Sequence, residues 1–298
     1  MTTPHIAVLK NPTAGRGRHA EPVARAIDAL GGPQRTVQVL TAPDRDAALV
    51  ACRQAVSDGA AALIAVGGDG TVHVGLQAVA ATGVPFGVIP AGTGNDFATE
   101  CGIPADPLAA AEAIAAALDE GRTRPIDLAR ISGLDGYDRW FCAVLGAGFD
   151  AIVNERANAM RWPRGRRRYD IAIFAELLRL RPRRYRLTLD GETTELDAVL
   201  VAIGNTGTYG GGMRMCPQAD PTDGLLDVVV AGPISRVTLL RLQPKVYQGT
   251  HVSHPAVRSF QARTVTLAAD GITAYADGER TCPLPITVTA HPAALTLL

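Results

Sequence analysis

The sequence predicts two domains: an α/β domain built on a parallel sheet, followed by an all-β domain built as an antiparallel sandwich. In the first 130 residues, short apolar runs alternate with segments of helical periodicity, a pattern typical of a parallel sheet with helices on both faces. After Arg124, short β-like runs follow one another with Gly, Asp and Pro between them, which is typical of a sandwich or barrel. We therefore assign residues 1–130 to the α/β domain and 131–289 to the sandwich, and leave 290–298 as a segment able to pack back on the first domain.

The composition is that of a globular protein with enough residues for two cores. The chain has 298 residues, of which 47% are hydrophobic, and its longest apolar runs are far shorter than a bilayer span. The N-terminal residues lack the basic and long apolar regions of a signal peptide. The five cysteines are scattered and form no C-x-x-C pair, so neither a zinc site nor a disulfide framework is indicated. We expect a reducing, cytoplasmic location.

The elements of the first domain follow from its apolar runs and turn signals. Strands are predicted at Ile6–Leu9, Thr36–Leu40, Ala60–Val66 and Phe86–Ile89. Helices are predicted at His19–Leu30, Asp44–Ser57 (with Asp44 as N-cap), Val72–Ala81 and Pro107–Leu118. Three of the strands run into glycine-rich turns, at residues 11–18, 67–71 and 91–97. Ligands of such sheets bind at the carboxyl ends of the strands, so we expect these turns to share one crevice.

The second domain is predicted to contain many short strands and few helices. Its strands are predicted at Ile126–Ile131, Trp140–Leu145, Tyr185–Leu189, Ala198–Gly204, Leu225–Val230, Val265–Leu267, Thr273–Ala276 and Ile286–Thr289. Asp150–Arg181 is predicted to be helical with a basic loop at 163–168, and Ser235–Gln248 to be one helix broken or kinked near Pro244.

The turn after the third strand has the features of a phosphate site. A buried apolar run ends in Gly67-Gly68-Asp69-Gly70-Thr71, so the turn exposes backbone N–H groups at a helix N-terminus, where an anion is favoured. Thr71 can cap the helix and can also bind a phosphate. Asp69 would need a cation or a sugar hydroxyl beside a phosphate. The alternative is an ordinary α/β loop in which Asp69 binds turn amides.

Charge is distributed unevenly along a chain that has no net charge. Between Arg156 and Arg186 there are eleven arginines and two acids, Asp170 and Glu176. Such a segment favours an anionic partner, either a lipid surface or a nucleic acid, and the alternative is a solvated loop and helix. No nucleic-acid-binding motif accompanies it.

The glycine-rich turns, taken together, resemble the diacylglycerol kinase catalytic domain of lipid kinases. The motifs that carry the resemblance are Asn11-Pro12-Thr13-Ala14-Gly15, Gly67-Gly68-Asp69-Gly70-Thr71 and the segment Pro90–Ala98, with sequence P-A-G-T-G-N-D-F-A. Gly210–Met213, Ala219–Asp227 and Asp277-Gly278-Glu279 resemble later motifs of the same family, so the likeness spans nearly the whole chain. It implies an NAD kinase-like two-domain fold, with a Rossmann-like nucleotide-binding domain and a β-sandwich, and with ATP between them.

The resemblance also implies roles for individual residues. The expected nucleotide-binding residues are Asn11, Thr13, Arg16, Arg18, Gly67, Gly68, Asp69, Gly70, Thr71, Gly92, Thr93, Asn95 and Asp127. Asp277 is expected to be the general base for the lipid hydroxyl, supported by Glu279, although Asp-Gly is also a common hairpin turn. Asp220, Asp223 and the carbonyl of Leu225 are expected to hold a structural Mg²⁺, although such a sequence is by itself more often only a turn. Asp69 is a second candidate magnesium-binding residue and would contact the ion through a water molecule.

The sequence departs from the family at two places. His73 and Val74 occupy positions where the family usually has Asn-Glu, and Arg16 or Arg18 stands where a lysine is frequent in the first turn. A guanidinium can bind phosphate but is not equivalent to an ammonium.

The expected function is that of an ATP- and Mg²⁺-dependent kinase that converts diacylglycerol to phosphatidic acid. Alternatives are a kinase of another lipid alcohol (a sphingoid base or ceramide), an NAD kinase and a non-catalytic nucleotide-binding regulator. The basic segment 156–186 is expected to bind an anionic membrane peripherally, and no nucleic acid is expected as a partner. A homodimer is left open.

Overall fold

The computed structural model describes residues 5–10, 20–32, 35–160, 162, 171–172 and 175–298. The chain divides into two units: unit 1 comprises Met1–Leu128 with His291–Leu298, and unit 2 comprises Ala129–Ala290. The sequence-based boundary at residue 130 lies two residues from this division, and the segment 291–298 belongs to unit 1. Two strands contain residues of both units, namely β5 (Arg124–Gly133) and β16 (Ile286–Leu297).

Unit 1 is built on a parallel sheet. Its first four strands are β1 (His5–Lys10), β2 (Thr36–Leu40), β3 (Ala62–Gly67) and β4 (Phe86–Pro90). They lie in the order β2-β1-β3-β4, and the end of β16 joins the edge of β4 in parallel, pairing Leu297 with Phe86. The central strands β3 and β4 are buried throughout because both faces of the sheet are covered, whereas the edge strand β2 is largely exposed.

Helices cover both faces of this sheet. They are α1 (Ala20–Ala29), α2 (Arg45–Ser57), α3 (Asp69–Val79), α4 (Asp96–Glu100) and α5 (Pro107–Glu120). Gly75 of α3 lies against Ala65 and Phe86, whereas Ile114 of α5 meets Ile64 above Gly87. Neighbouring residues of a strand point to opposite faces, so α3 and α5 lie on different sides of the sheet. The predicted α/β architecture is confirmed.

Two helix starts test the capping predictions. Asp44 is the N-cap of α2, as predicted, and its side chain accepts a hydrogen bond from Ala47 N at 2.9 Å. The prediction for Thr71 is wrong as a cap, because α3 begins at Asp69 with Gly68 as its N-cap. Thr71 is the third residue of the helix and is buried.

Unit 2 is a β-sandwich. Besides its parts of β5 and β16, its strands are β6 (Asp138–Phe141), β7 (Val144–Gly148), β8 (Arg183–Leu189), β9 (Glu192–Ala198), β10 (Leu200–Gly204), β11 (Leu226–Ala231), β12 (Val257–Ala262), β13 (Thr264–Ala268), β14 (Thr273–Ala276) and β15 (Glu279–Pro283). One sheet is antiparallel with the order β12-β11-β10-β7-β14-β15, and the other contains β16-β13-β8-β9 with β5 and β6. Buried side chains of both sheets form one core, including Leu145 and Val201 from the first and Leu187 and Val265 from the second. The predicted sandwich is confirmed.

The second unit differs from prediction at several elements. The strand predicted at 140–145 is two strands, which separate at Cys142 and Ala143. The long helix predicted at 150–181 is α6 (Phe149–Ala159), with further helical residues at 171–172 and 175–178, and the basic loop at 163–168 lies outside the described residues. Helix α7 (Arg236–Gln248) continues through Pro244 instead of breaking. Within the described ranges, no helix combines the length and apolarity needed to cross a bilayer.

Candidate active site

The turn at 67–71 joins β3 directly to α3. Gly67 is the last residue of β3, and a Cβ atom there would collide with the Thr71 hydroxyl. The N–H groups of Thr71 and Val72 both donate to the carbonyl of Gly68, at 2.8 and 3.1 Å. The first N–H groups of a helix have no partner within it, so the start of α3 presents donors beside glycines that place no side chain over them.

A second turn, at 91–95, packs against the first through backbone atoms. A Cβ atom at Gly68 would lie 3.1 Å from Gly92 Cα, and one at Gly92 would lie 2.9 Å from Gly68 N. Ala91 N also donates to Gly67 O at 2.9 Å. Glycine is therefore needed at positions 68 and 92, because no other residue permits this approach.

Asn95 holds the second turn in place. Its side-chain oxygen accepts from Gly92 N and its side-chain nitrogen donates to Gly92 O, both at 3.1 Å. It adopts a φ of 57°, a region that asparagine tolerates better than most residues. Asn95 was predicted to bind the nucleotide; the structure gives its side chain a scaffold contact, and the nucleotide role stays a prediction. Gly92 and Thr93 are exposed.

Asp69 links the two turns. Its Oδ1 accepts a hydrogen bond from Phe97 N in the first turn of α4 at 3.4 Å, and its Oδ2 lies so close to Gly94 that a Cβ there would be 2.7 Å away. This contact fits the alternative in which Asp69 binds turn amides. Its role toward magnesium stays a prediction.

Two other groups of predicted nucleotide residues have different outcomes. Asn11, Thr13, Arg16 and Arg18 lie outside the residues that the structure describes. Asp127 is buried, and its Oδ1 accepts a hydrogen bond from Ala293 N at 2.7 Å. Asp127 therefore anchors the C-terminal segment within unit 1.

Asp277 lies in the hairpin turn between β14 and β15, with a φ of 52°. Its Oδ1 accepts from Ala143 N at 2.9 Å and its Oδ2 accepts from Cys142 N at 3.1 Å. Both amides belong to the break between β6 and β7. The carboxylate is half-buried and fixed by backbone, as a positioned base must be. Glu279, the first residue of β15, pairs with Ala276 across the same turn.

The break that holds Asp277 is itself fixed by Asn205. This residue is fully buried just after β10; its backbone N donates to Ala143 O at 2.8 Å, and its side chain donates to Cys142 O at 3.0 Å. Sequence reasoning missed Asn205. The available signal was a polar pair, Asn205-Thr206, directly after the all-apolar strand β10.

A buried carboxylate that sequence reasoning also missed lies beside this region. Tyr209 Oη donates to Asp150 Oδ2 at 3.0 Å, and the Asp150 carboxylate covers Gly146 so closely that no side chain would fit there. Burial raises the pKa of Asp150 above its usual range, and burial, followed by the charge of Asp150, raises the pKa of Tyr209. The missed signal was Gly146-Ala147-Gly148, a further strand-to-helix glycine turn.

A polar network ties α6 to β14 and β15. Tyr275 Oη donates to Glu155 Oε2 at 2.7 Å, and Arg280 Nε donates to the same oxygen at 3.1 Å. The hydrogen bond from Tyr275, and to a lesser degree Arg280, lowers the pKa of Glu155. Tyr275 is two residues from Asp277, so this network fixes the strand that carries the predicted base.

Two cavities beside α6 combine apolar walls with arginines. The first, of about 510 Å³, is lined by Phe149, Ile152, Glu176, Arg179, Leu180, Arg181, Arg183 and Val199. The second, of about 620 Å³, is lined by Ala151, Ile152, Glu155, Arg156, Ala159, Met160, Glu176, Arg183, Gly271 and Thr273. Such linings suit an acyl chain that ends in a polar or anionic group.

The predicted magnesium loop has the right donors for a hard cation. Asp220 Oδ1 accepts from Thr222 N and Oγ1 at 3.0 and 2.6 Å, and Asp223 Oδ1 accepts from Leu225 N at 2.9 Å. Among the described residues, no group of three or more His, Cys, Asp or Glu side chains could hold a metal. Two carboxylates with a backbone carbonyl nevertheless fit Mg²⁺, which keeps several waters and uses one or two carboxylates. The site stays a prediction.

The basic segment 156–186 is partly neutralised where the structure describes it. Arg156 forms an ion pair with Glu176, and both Arg184 and Arg186 form ion pairs with Glu195. Residues 163–170, with four of its arginines, lie outside the described ranges.

The fold is that of the two-domain kinases that include diacylglycerol kinases and NAD kinases. A crystal structure of a diacylglycerol kinase from Bacillus anthracis matches with a TM-score of 0.70 at 20% identity, covering 98% of this chain and 95% of that one. An NAD kinase from Archaeoglobus fulgidus, solved with ATP, matches with a TM-score of 0.56 at 13% identity, covering 98% of this chain and 92% of that one. At these identities the likeness shows the fold alone.

Sequence comparison defines the family. The model of the diacylglycerol kinase catalytic domain matches residues 5–131, and that of the YegS C-terminal NAD kinase β-sandwich-like domain matches residues 143–298. The diacylglycerol kinase of Mycobacterium tuberculosis is 45% identical, over 98% of this chain and 94% of that protein. A Stenotrophomonas maltophilia protein named "Probable lipid kinase YegS-like" is 32% identical, over 100% of this chain and 99% of that protein. The chain belongs to the diacylglycerol kinase family of lipid kinases.

Proposed function

We propose that this lipid kinase transfers the γ-phosphate of ATP to the hydroxyl of diacylglycerol and releases phosphatidic acid and ADP. The observation that carries the proposal is Asp277, whose two carboxylate oxygens are held by the amides of Cys142 and Ala143. A fixed carboxylate can accept the hydroxyl proton while the alkoxide oxygen forms its bond to phosphorus and the bond to ADP breaks.

We propose that unit 1 holds the donor. The turns at 67–71 and 91–95 supply backbone N–H groups; Asp69 links the two turns, and Asn95 holds the second turn in place. Magnesium, when bound, would supply positive charge to the phosphates and, at Asp220 and Asp223, would rigidify the loop after Thr222.

We propose that unit 2 holds the acceptor. The cavities beside α6 have room and apolar walls for acyl chains, and the network of Glu155, Tyr275 and Arg280 fixes the strand that ends at Asp277. Sphingoid bases and ceramide share a hydroxyl next to an apolar tail and remain the alternative acceptors. The relative at 45% identity is named a diacylglycerol kinase, which supports diacylglycerol. An NAD kinase shares the fold at 13% identity, which by itself gives no support to that activity.

Parallel incubations with different acceptors separate these candidates. ATP labelled at the γ-phosphate is incubated with the protein, Mg²⁺ and one acceptor at a time: diacylglycerol, monoacylglycerol, ceramide, sphingosine or NAD. We expect label in phosphatidic acid at the highest initial rate. Label in ceramide or the sphingoid base would reassign the acceptor, label in NAD would overturn the lipid assignment, and nucleotide binding without label transfer would favour the regulator.

We further propose a cytoplasmic enzyme that reaches its substrate by binding the membrane surface. The basic segment 156–186 supports this, since each basic residue near an anionic leaflet contributes about 1 kcal/mol. Binding should weaken with salt, because the attraction is screened. Equal binding to neutral and anionic vesicles would contradict this proposal.

A further inference from the structure

Helix α7 has two apolar faces, and only one of them is buried in the protein. Leu242 is buried and Val246 half-buried, and both belong to the cluster that contains Val144 and Leu200 on the sheet that carries Asp277. One apolar stripe therefore accounts for the packing of this helix against unit 2.

The opposite face carries a second stripe that is exposed. Val237, Leu240 and Tyr247 are 56, 50 and 46% exposed, and Pro244 between them is also exposed. At about 100° per residue, these four positions fall on one side of the helix, opposite Leu242 and Val246. A stripe of this kind on a charged helix marks an interaction site, whereas scattered apolar residues do not.

The flanks of the exposed stripe are positively charged. Arg236 lies on one side of it and Arg241 and Lys245 on the other, all three are exposed, and the helix contains no acidic residue. Arg214 adds a fourth exposed cation at the C-terminal end, where its backbone N donates to Val246 O at 3.1 Å. An apolar stripe with cations along both edges matches a bilayer surface, with acyl chains below and anionic headgroups beside them.

We propose that α7 is a membrane-docking helix that lies in the headgroup region of an anionic bilayer, with Val237, Leu240, Pro244 and Tyr247 facing the acyl chains. This proposal depends on the proposed function only in naming a lipid bilayer as the partner of the helix. Helix α7 lies outside the basic segment 156–186 in the sequence. All of its residues belong to the part of the chain that the structure describes. It would bring the unit that carries Asp277 to the bilayer that contains the substrate.

The first test measures vesicle binding without ATP. Protein is sedimented with phosphatidylcholine vesicles that contain or lack phosphatidylglycerol, at low and high salt. The variant Val237→Gln/Leu240→Gln/Tyr247→Gln should lose affinity on the order of a hundredfold, since Gln keeps the helix propensity while removing the apolar stripe. Arg236→Gln, Arg241→Gln and Lys245→Gln should each cost about fivefold on anionic vesicles only. Wild-type affinity in the triple variant would overturn the proposal.

Matched controls and a reporter make the result specific. Leu134→Gln removes an equally exposed apolar residue, and Arg263→Gln an exposed cation, elsewhere in unit 2; both should bind as wild type. In a background in which Trp140 and Trp162 are replaced by Phe, Leu240→Trp should show a blue-shifted emission on anionic vesicles, because Trp prefers the interface. No shift while the protein sediments with vesicles would overturn the assignment to this helix. So would a triple variant that dissociates an oligomer of this chain but binds vesicles normally.

Activity is measured separately, so the two proposals can fail independently. With a short-chain diacylglycerol dispersed in detergent, the triple variant should turn over at the wild-type rate, since α7 is not part of the catalytic machinery. Vesicle binding without turnover in the wild type would overturn the acceptor assignment alone, and turnover without stripe-dependent vesicle binding would overturn the docking helix alone.

Discussion

The two glycine turns of unit 1 and the Asp277 turn of unit 2 hold their proposed functional groups in opposite ways. The turns at 67–71 and 91–95 approach each other so closely that Gly68 and Gly92 exclude any side chain, and the groups they offer are backbone amides. At Asp277, the backbone amides of Cys142 and Ala143 point inward and hold one side chain, whose carboxylate is the proposed base. The geometry of the glycine turns depends on the absence of side-chain volume, and that of the Asp277 turn depends on the charge of one carboxylate.

This difference predicts different sensitivities. A change of charge at constant volume should disable the Asp277 region, and a change of volume without charge should disable the glycine turns. Asp277→Asn and Gly92→Ala test this division, and Asn95→Asp and Asp150→Asn test supporting side chains, with the expected effect decreasing in that order.

Asp277→Asn changes charge at nearly constant volume. Turnover should fall by about 10²–10⁴-fold, because a positioned base contributes that much to proton transfer. ATP affinity should remain, since unit 1 is unchanged. Initial rates and nucleotide binding by calorimetry measure the two effects. The control is Asp270→Asn, which lies in the Asp-Gly turn before β14, the strand that Asp277 follows, and it should leave the rate unchanged. Near-normal turnover in Asp277→Asn would remove the base assignment.

Gly92→Ala adds one methyl group without charge. The new Cβ would collide with the backbone of Gly68, so the two turns must separate, at a cost of about 1–3 kcal/mol or more. The KM for ATP should rise and Tm should fall by roughly 2–4 °C per kcal/mol. Gly32→Ala is the control, because nothing lies within 4 Å of a Cβ there. Equal behaviour of the two variants would show that the contact between the turns is dispensable.

Asn95→Asp tests the clamp on Gly92. The variant keeps the acceptor for Gly92 N but places an oxygen opposite Gly92 O, with an expected loss of about 1–3 kcal/mol. Asp also tolerates the positive φ at this position, so strain does not contribute. The free energy of unfolding is measured in denaturant. The control is Asp135→Asn, which makes the opposite exchange at an exposed residue with a similar φ. Unchanged stability would mean that Asn95 acts on the ligand alone.

Asp150→Asn should give the smallest effect, a change in the pH dependence of stability. Burial raises the pKa of Asp150 in the folded protein. Below about pH 4 the carboxyl is protonated in both states. As pH rises, the unfolded chain loses this proton first, so stability falls until pH passes the folded pKa.

The Asn variant lacks this loss and keeps an oxygen for the Tyr209 hydroxyl. Its Tm relative to wild type should therefore rise between acidic and neutral pH. Parallel Tm profiles of the two proteins would contradict a buried Asp150 with a raised pKa.

The sequence was sufficient for the architecture but not for three of the strands at its edges, although the edge strand β2 was predicted. The strands that it missed altogether, β9, β12 and β15, are each the last strand of a sheet. The interior strand β16, predicted to end at Thr289, continues to Leu297. Edge strands are often polar, which limits pairing with other chains, so they lack the apolar runs by which strands are recognised. The buried strands β3 and β10, with apolar residues on both faces, were both predicted.

The site was predictable where local sequence determines it. The glycine turns follow from the residues that form them, whereas Asp277 depended on the resemblance to a family. Asn205, Asp150 and Tyr209 were missed because their contacts join residues far apart in the chain, such as Asn205 with Cys142. Val74 lies buried in α3, where the family's glutamate would be, and nothing in the structure explains the exchange.

The return of β16 to unit 1 has a consequence for biosynthesis. Leu297 pairs with Phe86, and Asp127 binds the amide of Ala293, so the sheet of unit 1 is completed by the last residues of the chain. The ribosome makes residues 129–290 between the two parts, which takes roughly 8–30 s at about 5–20 residues per second. Until then Phe86 at the edge of β4 has no strand partner on the nascent chain, and exposed strand edges are prone to pair with other chains.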